Sequence, residues 1–352
     1  MEEKNIIKNF SIEELKQISE KFGQAGYRCE QLFHELYVER KNNFADMSIL
    51  PKKFRENLSN EYQIDSISDY KTQRSVDGTV KFLFTLLDGK QIESVLIPDE
   101  KKGKRLTLCV SSQVGCTLNC IFCATGKLGF QRNLETAEII DQVLFAEKIE
   151  KVKITNIVFM GMGEPLYNLK NVIKAIEILT NPKAEIMGQK RITVSTAVVL
   201  KKINELADSG LKVKLAISLH ATTDMLRQKL IPYAERVSLT QIGDAVEYYY
   251  RKTKQDITYE YIFLAGLNNS TDDVKRLSRI TKRVPSKVNI IPYHDISFTG
   301  AEEVLNFRTP VKEEIEDFAN KLRASGVRVS VRSSSGFDID GACGQLAYSE
   351  RQ

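Results

Sequence analysis

Three cysteines in the string "GCTLNCIFCATG", Cys116, Cys120 and Cys123, stand at C-x3-C-x2-C spacing, close enough for three thiolates to share one metal centre. Two bland readings compete: a structural zinc site lacking its fourth ligand, and buried cysteines that only pack. Structural zinc more often uses paired C-x2-C units far apart, and packing gives cysteines no reason to cluster. The triplet favours a four-iron cluster in which the protein holds three irons and leaves the fourth open. An open iron can chelate the amino and carboxylate groups of S-adenosylmethionine and reduce its sulfonium, releasing a carbon radical.

Three other cysteines lie outside the triplet. Cys109 sits within the apolar run "LTLCVSS" and by itself reads as core packing, as does Cys29 on the helical face of "YRCEQLF". Cys343, in "DIDGACGQL", has no cysteine within 200 positions of it. Polar groups that could bind a small cosubstrate recur at the ends of strand-like runs. Gly163-Glu164 in "FMGMGEPL" would let backbone approach a ligand closely and grip an ammonium group. Ser195 in "VSTAV" and Ser218-Leu219-His220 in "SLHA" place small hydroxyls where they could bond a ribose or carboxylate. Taken singly, each is also an ordinary strand terminus.

These residues need a scaffold, and the rest of the sequence describes one. The chain has 352 residues, 42% hydrophobic and 28% charged, which suits a folded globular protein. No apolar run approaches the ~18 residues of a membrane span. The start "MEEKNIIKNF" has neither the basic opening nor the apolar core of a signal peptide, so a cytoplasmic location is expected. Six cysteines in such a chain argue against a disulfide framework. A net charge of +5 permits a nucleic-acid partner without requiring one.

Helical periodicity fills the first sixty residues. "SIEELKQISEKFG" has Ser11 as N-cap and Gly23 past its end, "YRCEQLFHELYVE" repeats Leu32, Phe33, Leu36 and Tyr37 on one face, and "LPKKFRENLSNEY" opens on a proline. From about residue 66 the period shortens to strand-like runs, "VKFLFTLLDG", "KQIESVLIPD" and "KRLTLCVSSQ", with Asp77-Gly78 and Asp88-Gly89 at turns. After residue 130, helix and strand alternate six to seven times, which implies a parallel sheet closed or partly closed into a barrel. The expected organisation is an N-terminal helical accessory domain (1–65), a small antiparallel extension (66–105), and a partial (β/α)6 barrel with a C-terminal loop (106–352). In such folds chemistry gathers at the carboxyl ends of the strands, here Gly163-Glu164, Ser195, Ser218–His220 and Pro292–His294.

The strings "ESVLIPD", "LTLCVSSQVGCTLNCIFCATG", "GFQRNL", "MGMGEPL", "VSTAV", "SLHA" and "GFDIDGACGQL" occur in one order from Glu93 to Leu346, about three quarters of the chain. Together they resemble the radical S-adenosylmethionine enzymes of the RlmN and Cfr family, which methylate adenines in RNA. The helical start resembles that family's RNA-binding accessory domain.

The resemblance implies a set of roles. Cys116, Cys120 and Cys123 match the residues that hold a [4Fe-4S] cluster. Gly163, Glu164, Ser195, Ser218, Leu219, His220 and the position of His294 match contacts to S-adenosylmethionine. At the last position the family usually has asparagine, and "GACG" replaces its usual "AACG". Cys343 would take a methyl group from one cosubstrate molecule, and a radical from a second would activate that methyl for addition to the adenine ring. Glu93 would remove the ring proton, and Cys109 would attack Cys343, freeing the base and leaving a Cys109–Cys343 disulfide. Gly341 and Gly344 would then serve a mobile, uncrowded loop that offers one sulfur to successive partners. The implied substrates are an adenosine of 23S ribosomal RNA, at carbon 2, and a tRNA adenosine. Carbon 8, the Cfr-type position, is the alternative, and the string "RSSSGFDID" leans toward it. A non-catalytic RNA-binding protein with a structural cluster is a further alternative. The enzyme would need an external electron donor and a disulfide reductant, act as a monomer, and involve no membrane. The basic strings "DEKKGKR" and "TKRVPSK" are candidate phosphate contacts.

Overall fold

The structure, a computed structural model, describes residues 4–99, 105–197, 199–296, 299, 307–332 and 335–348. A strand β1 (Asn5–Ile6) precedes helices α1 (Ile12–Lys21), α2 (Arg28–Tyr37) and α3 (Lys52–Glu61), and β2 (Tyr62–Gln63) pairs with β1 in parallel. Ser11 caps α1 as the sequence requires: its hydroxyl accepts from Glu14 N, and the Glu14 carboxylate accepts from Ser11 N at 2.7 Å. Leu15, Leu32, Phe33, Leu36, Phe54 and Leu58 bury the facing sides of the three helices. Lys8 docks this module on the remainder. Its buried ammonium lies 2.6 Å from Asp141 and 2.8 Å from Asp65, and Asp141 also accepts from the Ser66 backbone and hydroxyl.

Strands β3 (Ile67–Arg74), β4 (Val80–Leu86) and β5 (Gln91–Asp99) form an antiparallel meander. This meander is not a separate layer. Strand β5 pairs with β6 (Arg105–Cys109), which begins the parallel part of the same ten-stranded sheet. The short strands β7 (Gln113–Gly115) and β8 (Phe130–Asn133) flank helix α4 (Ala124–Lys127) as a separate hairpin. Then α5 (Thr136–Glu150), β9 (Asn156–Phe159), α6 (Leu169–Leu179), β10 (Ile192–Thr196), α7 (Leu200–Asp208) and β11 (Lys214–Ser218) follow. The chain continues with α8 (Asp224–Leu230), α9 (Leu239–Thr253), β12 (Ile257–Phe263), α10 (Thr271–Thr281), β13 (Ser286–Pro292), α11 (Lys312–Ala324) and β14 (Val329–Val331).

The sheet order is β14-β13-β12-β11-β10-β9-β6-β5-β4-β3, with β6 and β9 through β14 all parallel. Six strand–helix units and a seventh strand therefore make a partial barrel, and the expected fold holds. Among the described residues β14 does not pair with β3, so the barrel is open. The sequence reading lacks the two-residue strands β1 and β2, strand β3, the β7–β8 hairpin with α4, and α8. Strand β3 lies at an edge, and after Ile67 most of its side chains are exposed, so it carries no apolar alternation to read.

Candidate active site

Every parallel strand delivers its carboxyl end to one rim, and a cavity of about 870 Å³, its open mouth included, lies there. Cys116, Cys120 and Cys123 line it, together with Gly163, Glu164, Ser195, Ser218, His220 and Cys343. The loop carrying the triplet is clamped from three sides. Strands β7 and β8 close its base, where Cys116 N donates to Gly129 O at 3.0 Å. Helix α8 braces its middle, with Ile121 N donating to Leu230 O at 3.1 Å. The Cys343 loop holds its end, with Ala124 N donating to Gly344 O at 2.6 Å.

All three triplet cysteines are free thiols. Burial pushes all three thiols up, Cys116 to about 12; the Cys123 charge adds to this at Cys116 and Cys120, the Cys116 charge at Cys120, and the Cys343 charge at Cys123. Thiols that raise one another's pKa in a shared pocket call for a cation that neutralises them, so the donor set fits a metal cluster. Among the described residues no three His, Cys, Asp or Glu side chains surround one point as ligands of a single ion. Thiolates that each hold a different iron need no such convergence.

The turn after β9 depends on glycine. Gly163 has φ +99°, and a Cβ there would lie 2.5 Å from the Gln113 Cβ. The approach lets Gln113 Oε1 accept from Glu164 N at 2.9 Å. Buried Glu164 then spans to the next strand, accepting from Leu166 N at 3.1 Å and Ala197 N at 2.9 Å. Burial pushes its carboxyl up to about 7 against those donors. Ser195 and Ser218 face each other, their hydroxyls 3.4 Å apart. His220 adopts φ +59°, and its Nδ1 accepts from Ile262 N at 3.1 Å. Burial, with the Arg227 cation nearby, drives His220 down to about 3, so the ring is neutral and its proton sits on Nε2.

Two of the expected cosubstrate residues lie elsewhere. Leu219 is buried, but its side chain lines a different hollow, with Thr222, Tyr259 and Arg276. His294 lines a smaller cavity of about 260 Å³ with Arg332, Ala342 and Cys343, beside the Phe337 ring. Burial and Arg332 lower its pKa, which favours a neutral ring.

Cys343 lines both cavities. Cys109, at the end of β6, is buried, and burial followed by the adjacent Cys343 pushes its thiol up to about 12. Glu93 lines neither cavity. Its carboxylate lies 3.2 Å from Lys81 Nζ and accepts from Tyr348 N at 3.2 Å. The Cys343 loop is not the uncrowded segment its glycines suggest. Gly344 does need its freedom, with φ +86° and space for a Cβ only 3.2 Å from Phe122 O. The glycines allow close packing here: Thr125 Oγ1 donates to Leu346 O at 2.7 Å, and Ser75 Oγ donates to Asp338 at 2.5 Å.

Residues 110–278 match the model of the radical SAM superfamily, and residues 5–64 match that of the ribosomal RNA large subunit methyltransferase N-terminal domain. The dual-specificity RNA methyltransferase RlmN of Geotalea uraniireducens is 43% identical over 98% of this chain and 97% of its own. The chain belongs to the RlmN family of radical SAM methyltransferases. The probable dual-specificity RNA methyltransferase RlmN of Thermotoga maritima is 42% identical over 97% of both chains. A crystal structure of a radical SAM methyltransferase from Sphaerobacter thermophilus superposes with a TM-score of 0.89 at 35% identity, covering 97% of this chain and 99% of that one.

Sequence reasoning missed residues that this RlmN-family site uses. Arg227 of α8 is fully buried, and its guanidinium donates to the carbonyls of Ala197, Ser218 and Leu219, tying the ends of β10 and β11 together. Burial lowers it to about 10, opposed by Cys120 and Asp224. Glu260 of β12 lines the main cavity and accepts from Asn289 Nδ2 at 2.7 Å. Neither had a signal beyond residue type. The string "TKRVPSK" leads into the amino end of β13, opposite the site, and its Arg283 is paired with Asp244 and Glu247. Most of "DEKKGKR", and Ser333-Ser334 of "RSSSGFDID", lie outside the described residues.

Proposed function

We propose that this chain methylates carbon 2 of an adenosine in 23S ribosomal RNA, and a tRNA adenosine, through a methylated Cys343, consuming two S-adenosylmethionine molecules. The position of Cys343 on the wall common to two cavities carries the reading. One cavity holds the cysteine triplet and the cosubstrate-type polar groups, and the buried thiol of Cys109 lies close enough to Cys343 for their charges to interact. The relatives' printed activity, dual-specificity RNA methyltransferase, supports two RNA substrates.

Held by Cys116, Cys120 and Cys123, a [4Fe-4S] cluster would supply the electron that cleaves S-adenosylmethionine to the radical that activates the methyl on Cys343. The protein's own groups do the remainder. Glu164, with Gly163, grips the methionine ammonium; Ser195, Ser218 and the Nε2–H of His220 offer polar contacts to the same molecule. Leu219 contributes backbone, and His294 acts from the neighbouring cavity. Cys343 takes its methyl by displacement: the S–CH3 bond forms, the sulfonium C–S bond breaks and the thiol proton leaves. Once the carbon has joined the base, the radical adduct returns its odd electron to the external redox partner and Glu93 takes the ring proton. Cys109 then attacks the Cys343 sulfur, forming the S–S bond and leaving the C–S electron pair on the carbon, which takes a proton. An external thiol reductant restores both cysteines, and an external donor supplies electrons.

Residues 1–65 serve as the RNA-binding accessory module, 66–105 as an extension that reaches the Cys343 loop, and 106–352 as the catalytic barrel. The enzyme works as a monomer in the cytoplasm; no helix among the described residues is long and apolar enough to cross a membrane. The test is anaerobic reconstitution with iron and sulfide, reaction with ribosomal RNA and tRNA, and mass spectrometry of the nucleosides. 2-Methyladenosine supports the reading; 8-methyladenosine replaces carbon 2 with carbon 8. Bound zinc without iron–sulfur absorption overturns both.

A further inference from the structure

Lys81 and Glu93 form a buried ion pair under the C-terminal loop. Along β4 and β5, Lys81 pairs with Val95 and Glu93 with Leu83, which makes the two side chains diagonal neighbours on one face. Lys81 Nζ lies 3.2 Å from Glu93 Oε1, and the side chains are 2% and 1% exposed. The second carboxylate oxygen accepts from Tyr348 N at 3.2 Å, while the Tyr348 hydroxyl fixes the tail by donating to Gln91 O at 2.7 Å. The Glu93 backbone is held as firmly: its carbonyl accepts from Ser111 Oγ at 2.6 Å, and its N–H meets Met162 Sδ at 3.3 Å.

Two opposite charges enclosed in a sheet are rarely the most stable filling for the space, since apolar side chains of similar volume pack there without desolvation cost. The arrangement is asymmetric in a way that packing does not require. One oxygen is held by a side chain on β4, next to the edge strand β3, the other by the backbone of a terminal segment.

We propose that Lys81 is the positioning residue of Glu93: its ammonium holds Oε1 while Oε2, once the Ala347–Tyr348 tail lifts away, receives the ring proton of the RNA adduct. The inference rests on the reading of Glu93 as the base. In the step, the ring C–H bond breaks, its electron pair stays in the ring, and the proton forms the O–H bond at Oε2. Lys81 keeps its contact with Oε1 throughout, so the carboxylate stays oriented while Oε2 takes up the proton and sheds it again. Burial pushes the Glu93 carboxyl up; Lys81 first, then the Tyr348 and Ala347 amides, pull it down, and the net direction is upward. The groups facing it are Lys81 from β4 and the Tyr348 phenol and amides from the tail. A carboxylate raised by burial and held beside a cation suits proton abstraction.

Lys81→Gln, Lys81→Arg and Glu93→Gln are compared in the reconstituted full-length enzyme with an RNA substrate, following methylation of Cys343, release of 5′-deoxyadenosine, and the covalent protein–RNA species on denaturing gels. Lys81→Gln is expected to leave the first two steps within about twofold and to slow adduct resolution about tenfold or more, the scale of one pKa unit. The midpoint of the pH profile for resolution should rise, because the carboxylate has lost its cation, and Lys81→Arg should restore most of the rate. Resolution by Lys81→Gln at the wild-type rate and with an unchanged midpoint overturns the proposal. Should Lys81→Gln fail to fold, Lys81→Met decides by the same measurement: the loss of the cation must shift the midpoint, and an unshifted profile at the wild-type rate refutes the role. Glu93→Gln separates the two readings. If it resolves the adduct normally, Glu93 is not the base; if it stalls while Lys81→Gln does not, only the role of Lys81 fails.

Discussion

The carbonyl of Gly344 accepts a hydrogen bond from Ala124 N at 2.6 Å, joining the residue after Cys343 to the residue after Cys123. Two segments 220 positions apart (343 minus 123) are thereby held side by side, and the Thr125 hydroxyl adds a second bond to Leu346 O. The cysteine triplet and the lone thiol share a cavity because their flanking segments are bonded to each other. The arrangement also explains why Gly344 must be glycine: its φ of +86° and the nearby Phe122 carbonyl leave little room for a Cβ.

That shared wall makes Cys343 separable from cosubstrate cleavage. Cys343→Ala is expected to keep the fold, since the loop is held through backbone atoms of Gly344 and Leu346. The variant should lose RNA methylation by at least about a thousandfold, the scale for loss of a covalent nucleophile, while still producing 5′-deoxyadenosine. Chromatography of the nucleosides and of 5′-deoxyadenosine from one reaction checks both halves. Methylated RNA at more than a few per cent of the wild-type yield would remove Cys343 from the pathway.

Cys109 acts later and should fail differently. Cys109→Ala removes a buried sulfur from the end of β6, costing roughly 1 kcal/mol, the order for one buried methyl-sized group. With the resolving thiol gone, the protein–RNA adduct should accumulate as a slow band on denaturing gels that survives reducing agent. Free methylated RNA at the normal rate from this variant would return Cys109 to a packing role.

What the sequence disclosed depended on range. Ser11 with Glu14, and the apolar spacing of Leu32, Phe33 and Leu36, are local patterns, and the helices they announce are present. The cysteine triplet was equally readable, because three metal-seeking thiols within eight residues leave a mark in the string itself. Helix α8 was not: it spans seven residues, too few for a period to emerge, and its Met225 is exposed. Lys81 carries no signal of its own within the apolar run "VKFLFTL", because its partner twelve positions on appears only once β4 and β5 take their register. The clasp between Ser75 and Asp338 spans 263 positions and had no signal at all.

Gly163 offers a test of the cosubstrate turn that does not touch a side chain. Gly163→Ala puts a methyl group 2.5 Å from the Gln113 Cβ on a backbone at φ +99°. Left-handed strain of ~1–2 kcal/mol and overpacking of ~1–3 kcal/mol add to about 3 kcal/mol. Thermal unfolding should fall by several degrees, and S-adenosylmethionine affinity measured by calorimetry should drop at least about tenfold. A variant with unchanged melting and binding would mean the Glu164 N–H bond to Gln113 contributes nothing to the turn.

The clasp on the Cys343 loop is sensitive to acid. Asp338 accepts from Ser75 Oγ at 2.5 Å and Val76 N at 3.2 Å, and Asp77 returns the grip by accepting from Gly336 N at 3.0 Å. The Ser75 hydroxyl, followed by the Val76 amide, holds the Asp338 carboxyl below its usual range. For Asp77, burial pushes upward but bonds from Thr79, Ser75 and Gly336 outweigh it, so its carboxyl is also lowered. A carboxylate whose folded pKa is depressed stabilises the fold above its unfolded pKa of about 3.9, and that contribution is lost as pH falls through the lower folded value. Asp338 is exposed, so solvent screening keeps its part to about 1 kcal/mol or less. Asp338→Asn should therefore melt a few degrees below the wild type at pH 7, and the gap should close as the pH is lowered to 3. Hydrogen exchange at pH 7 should rise in residues 336–346 and stay unchanged in α1–α3. A melting difference constant from pH 7 to 3 would show that the carboxylate charge has no part in closing the loop over the Cys343 sulfur.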